Sequence, residues 1–114
     1  MANSFLSETD TGVGTTPATV FTCPAGTEVT IIGLSVANIE TSQIAVDVQL
    51  DASGRTSGAE DSVYLVKGAP VPVGGSLVVI GGDQKVVLEP GDTIVVTSDT
   101  AASADVVVSH LDIS

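Results

Sequence analysis

The chain has 114 residues, one cysteine and no tryptophan, and 14 acids against three bases leave it at −11. One domain is expected at this length. Three cations cannot match a row of phosphates, so a nucleic-acid binder is excluded, as a lone cysteine excludes a disulfide scaffold. An apolar share of 43% is too high for a disordered chain.

Residues 1–18 fit neither a helical period nor a strand alternation, and small polar residues dominate. They read as an extended N-terminal arm whose only large apolar residues are Phe5 and Leu6. From residue 19 to 114 the pattern is strands and turns. Val (19), Ile (7) and Thr (13) make up 39 of the 114 residues. Their branched side chains fit a pleated surface and are stiff in helices.

Thr19–Thr22 reads as a short strand, and Pro24-Ala25-Gly26 as a turn. Thr27–Asn38 is a long strand whose apolar phase slips by one between Ile31 and Ile32, beside Gly33. A β-bulge or a strand crossing between sheets explains the slip. Ile44, Val46, Val48 and Leu50 alternate with Gln43, Ala45, Asp47 and Gln49, the cleanest period-two strand in the chain. A polar loop over 51–60 leads to a strand at 61–67. Pro70 and Pro72 cannot donate to a ladder, so 69–73 is expected at an edge or in a loop. Further strands are expected at 76–80, 85–88, 93–97 and 104–113, with turns at Gly74-Gly75, Gly81-Gly82-Asp83 and Glu89-Pro90-Gly91-Asp92. A faint echo relates 21–29 to 87–95, both reading strand, Pro-Gly turn, Thr, strand. Two copies are hairpin corners rather than a repeat. About eight strands with short turns and no helix predict an all-β antiparallel β-sandwich, jelly-roll-like, carrying the arm.

No segment is long and apolar enough for a membrane helix, and 1–7 lacks the cation and apolar run of a secretory signal, so synthesis in a cytoplasm is expected. Candidate chemistry is thin. Cys23 reads as a small apolar core residue, because a nucleophile needs an electropositive setting. His110 is the sole histidine, and with one cysteine it leaves a zinc site short of ligands. Ser109, His110 and Asp112 could form a triad only on paper, because strand neighbours point to opposite faces and no Gly-x-Ser-x-Gly elbow exists. The 81–85 segment lacks phosphate-loop spacing. Asp51, Glu60 and Asp61 flank one loop and Glu89 and Asp92 another. Solvated loops are the plain reading, with a weak calcium site the alternative. No enzyme, cofactor or metal is expected.

The stronger signal is apolarity on both faces of several strands: 63–66, 77–80, 86–87, 94–96 and 106–108. A lone sandwich keeps its outer faces polar, so another subunit or the arm is expected to cover some of this surface. Candidate interface residues are Phe5, Leu6, Tyr64, Val66, Val95 and Val107.

The segments Phe21-Thr22-Cys23-Pro24-Ala25-Gly26-Thr27, Ile31–Asn38, Tyr64–Val79, Gly81–Lys85 and Glu89-Pro90-Gly91-Asp92 resemble small virion structural proteins of tailed bacteriophages, cyanophages included. The resemblance spans about residues 19–113 and rests on turn and strand patterns. It implies a capsid decoration (cement) protein, a homo-oligomer with a trimer favoured, bound to the major capsid protein or another virion protein and located in the virion. A tail, fibre or baseplate component, able to bind a host surface, is the alternative. The shortage of cations and of long apolar stretches leads to the expectation of no nucleic-acid and no membrane partner. No catalytic or ligand residue is carried over.

Overall fold

The computed structural model describes residues 3–55 and 62–113. Among these residues nine strands form two antiparallel sheets, with no helix: β1 (Asn3–Val13), β2 (Ala18–Thr22), β3 (Glu28–Asn38), β4 (Ile44–Asp51), β5 (Val63–Val71), β6 (Ser76–Ile80), β7 (Val86–Leu88), β8 (Thr93–Ser98) and β9 (Ala104–Ile113). One sheet runs β1-β9-β3-β6, with β7 also paired to β3; the other runs β2-β8-β4-β5. Most connections cross from one sheet to the other, as in a jelly roll.

The inner faces interdigitate through branched aliphatics. Ile31, Leu34, Ile44, Ile80, Leu88 and Ile94 are fully buried, with Val29, Val36, Val46, Val48 and Val71 among them. Each such side chain stabilises the fold by roughly 1.5–3 kcal/mol through removal from water. The alternation expected of β4 holds, with Ile44, Val46 and Val48 inward. The slip in β3 is a β-bulge: the register against β9 shifts between Ile31 and Gly33. Both Leu34 and Val36 thereby return to the core. Pro70 lies in β5, at the edge of its sheet, as a residue without an N–H must.

The N-terminal segment is more structured than its sequence pattern suggests. Within the extended arm expected over 1–18, residues 3–13 form β1, paired with β9 from Asn3↔Ile113 to Asp10↔Val106. The sequence hides this strand because backbone pairing holds it, not burial. No side chain from Asn3 to Gly12 is buried, and Val13 is the first that is.

Two polar clusters are built into the framework. Asn38 is buried; its Nδ2 donates to the carbonyls of Ser42 (2.8 Å) and Val71 (2.9 Å), and its Oδ1 accepts from the Glu40 amide (2.8 Å). At the other end Arg55, leaving β4, reaches Asp92 in the β7–β8 turn, with Nε–Oδ1 at 3.0 Å and Nη2–Oδ2 at 2.6 Å. Glu89 joins this clamp at 3.3 Å. Asp92 is wholly buried and also accepts from the Glu89 amide at 3.0 Å. The two loops touch through backbone: a Cβ on Gly91, whose φ is +93°, would lie 2.1 Å from the Gly54 carbonyl oxygen.

Candidate interaction face

The two outer faces of the sandwich differ in kind. Side chains on a strand alternate between faces, so the register gives each face row by row. On the β1-β9-β3 sheet the outward rows are Phe5–Leu111–Thr30–Val87, then Ser7–Ser109–Gly33, then Thr9–Val107–Ser35–Val78. These three rows contain no charged residue, in a chain with 17 charged side chains (3 + 14). Charged residues flank these rows: Glu28 beside Ile113 at one end, Asp105 beside Ala37 at the other, and Lys85 just before β7, two residues from Val87. Four of the apolar members are open to solvent, with Phe5 74% exposed, Val78 65%, Val87 61% and Val107 39%, while Leu111 is partly covered.

The opposite outer face is polar. Thr19, Val95, Gln49 and Tyr64 share one row, and Asp47 lies opposite Thr97. Lys67 lies 4.4 Å from the Tyr64 ring centroid and 3.9 Å from Asp47, so its charge is spent within this face. Single exposed apolar side chains of this kind are ordinary on a protein surface, whereas the first face groups several of them with no charge among them.

The six candidate interface residues therefore do not form one patch. Phe5 and Val107 belong to the uncharged face. Tyr64 and Val95 belong to the polar one. Val66 pairs with Val48 and packs against the core, so it lies on neither outer face. Leu6 sits opposite the inward His110, on the inner side of its sheet, and remains half exposed at the sandwich edge. Sequence reading does not single out Val78 and Val87 as contacts, although their stretches are apolar on both sides. Only strand pairing shows that they share a face with Phe5.

His110 is buried within the core side of β9. Its ring lies 4.2 Å from the Phe21 ring, its Nδ1 pairs with Asp112, and its Nε2 is 3.1 Å from Glu8 of β1. Ser109 points to the other face, as alternation requires, so it does not pair with His110. Cys23 is buried and donates to the carbonyls of Thr27 (3.3 Å) and Leu88 (3.6 Å). Burial first, then the charges of Asp92 and Asp112, push its thiol up to about 11. It is a packed core thiol and not a poised nucleophile.

Of the acidic-loop residues, Asp51 accepts from Ser53 and Ser62, and Glu89 and Asp92 face Arg55. Glu60 and Asp61 lie outside the described residues. Among the described residues no group of three His, Cys, Asp or Glu side chains converges on a metal position. An open groove of about 460 Å³ runs between 10–18 and Ala101-Ala102, and its lining of threonine, glycine, alanine and proline offers Asp10 as its one charged group.

No protein-family model matches the chain, and no curated protein matches it. Among solved structures it is similar to a chain described under "Bacillus endospore appendages form a novel family of disulfide-linked pili". The TM-score is 0.56 at 13% identity, over 99% of this chain and 87% of that one. The likeness is one of fold.

Proposed function

We propose that this protein is a non-enzymatic structural subunit that works in many copies, with the uncharged outer face of the β1-β9-β3 sheet as its principal contact. One observation carries this reading. Three consecutive rows of a sheet face lack any charge in a molecule of net charge −11, and they expose Phe5, Val78, Val87 and Val107. Mutual repulsion works against association everywhere else on the surface, so this face is where copies or a partner can approach. The non-enzymatic reading rests on His110, whose two ring nitrogens are both engaged by carboxylates and are sealed from substrate.

The form favoured by the sequence resemblance is a capsid decoration protein that oligomerises on the outer shell of a virion and bridges neighbouring capsomers. Its contribution would come from buried area and multivalency. Quantifying the chain in purified particles tests this: hundreds of copies per particle fit a shell component, and a few to tens fit a tail or fibre. A second reading, an appendage subunit, is favoured by the shared fold with a pilus chain. Such a filament would hold without disulfides between copies, because the one cysteine is buried. Electron microscopy of the concentrated protein separates the two, as closed oligomers against open filaments. Single protomers alone, with the chain absent from any particle, would refute both.

A further inference from the structure

We propose that β1 is an exchangeable strand, so that β1 of one copy fills the β9 edge of a second copy and sets its Glu8 on the second copy's His110. The proposal rests on the self-assembly reading above and names the device that would make it durable.

Three observations converge on β1. First, its hold is almost entirely backbone: from Asn3 to Gly12 no side chain is buried, and only Glu8, Asp10 and Gly12 are half-covered. Detaching it therefore costs ladder hydrogen bonds and little apolar burial. Second, a hinge separates β1 from the sandwich. The register shifts between Asp10 and Val13, and Gly12 has φ +66°. Beyond the hinge the chain is fastened: Val13 is buried, its carbonyl accepts from the Ser103 amide at 3.0 Å, and the Gly14 carbonyl accepts from the Ser98 amide at 2.9 Å. Asp105 accepts from the Thr11 hydroxyl (2.7 Å) and the Gly12 amide (3.1 Å), two contacts that a departing β1 gives up and remakes on the second copy, while the chain from Val13 onward stays with its own core. Third, the vacated edge is demanding. It bares the outer backbone of β9 and leaves His110 with Asp112 alone, so it wants a strand bearing an acid opposite Val108. The β1 of another copy supplies that acid in that register.

Exchange remakes every contact that release breaks, so the balance turns on local concentration and hinge strain. Stacking of the uncharged faces favours it, because β1 is the edge strand of that same sheet.

The test uses two full-length variants, Asp10→Cys and Val106→Cys. These positions lie opposite each other on the inner side of the pair, where contact between outer faces cannot join them. After each is shown to melt cooperatively, they are mixed at assembling concentration and mildly oxidised. Cys23 does not compete, being buried. The expected result is a covalent dimer of the two variants, at least about tenfold above any dimer in either variant alone. If no mixed dimer forms while sedimentation still shows assembly, exchange is refuted and the assembly reading stands. If sedimentation shows only protomers and no mixed dimer forms, both are refuted. Should Val106→Cys fail to fold, Ser7→Cys with Ser109→Cys, an opposed outward pair, replaces it, read against Ser7→Cys with Val78→Cys, which only contact between outer faces can join.

Discussion

Arg55 closes on Asp92 in a two-pronged ion pair, at 3.0 and 2.6 Å, that ties the start of the β4–β5 loop to the β7–β8 turn. Asp92 has no solvent exposure, so a variant that removes its partner strands a buried charge. Asp92→Ala is expected to destabilise the fold, because it removes the acceptor that Arg55 and the Glu89 amide share. Arg55→Met is expected to destabilise it as well. Urea titration of each variant checks both; midpoints equal to the parent would show the clamp to be idle.

The same pair sets an acid limit. Burial pushes the Asp92 carboxyl up, but hydrogen bonds from Arg55 and the Glu89 amide, with the Arg55 charge, outweigh it and hold it below its ordinary 3.8. A carboxyl depressed in the folded state stabilises fully above its unfolded value, and that stabilisation is lost as pH falls through the folded value. Stability is therefore expected to be level from neutral pH to about 5 and to drop below about 4. Asp92→Asn should flatten that drop. Thermal midpoints between pH 7 and pH 3 decide it.

Gly91 and Gly26 both have positive φ, +93° and +77°, but only Gly91 faces backbone. A Cβ added there would meet the Gly54 oxygen at 2.1 Å, whereas nothing lies within 4 Å of a Cβ added to Gly26. Gly26→Ala is expected to cost about 1 kcal/mol, from backbone strain alone. Gly91→Ala is expected to cost at least about twice that, because the two loops must separate. Equal losses in a denaturant series would contradict the close approach.

Cys23 is expected to resist thiol reagents in the folded protein and to react at the rate of global unfolding. Its burial and raised thiol pKa of about 11 both withhold the thiolate. Reductant should leave the melting temperature and the oligomer size unchanged. Rapid labelling at neutral pH without denaturant would overturn this.

Much of the framework is legible in the sequence because local chemistry writes it. Ile44, Val46 and Val48 announce an inward face, and the phase slip beside Gly33 announces a bulge, as the β3–β9 register shows. β1 is not legible as a strand. Its inner side carries Ser4, Glu8 and Asp10, so no alternation marks a fold held by backbone pairing. The Arg55–Asp92 clamp is also hidden, since 37 positions separate the partners and only the sandwich brings them together. For the interaction face, alternation tells which residues share a side of one strand. It does not tell which strands adjoin. Sequence alone therefore groups Phe5 and Val107 with Tyr64 and Val95, which the topology places on the opposite sheet.

Charge placed on the uncharged face should break contacts without breaking the fold. Val78 and Val87 are 65% and 61% exposed, so Val78→Asp with Val87→Asp is expected to change folding stability by only about 1 kcal/mol in total. A matched variant on the polar sheet, Gln49→Glu with Thr19→Asp, adds the same charge elsewhere and is expected to leave association intact.

Sedimentation velocity over a wide concentration range tests the central claim most directly. The parent chain and the polar-face variant are predicted to move as concentration-dependent oligomers, and Val78→Asp/Val87→Asp as a folded single protomer. A parent chain that sediments as one protomer at every concentration, or an oligomer untouched by the two aspartates, would contradict it.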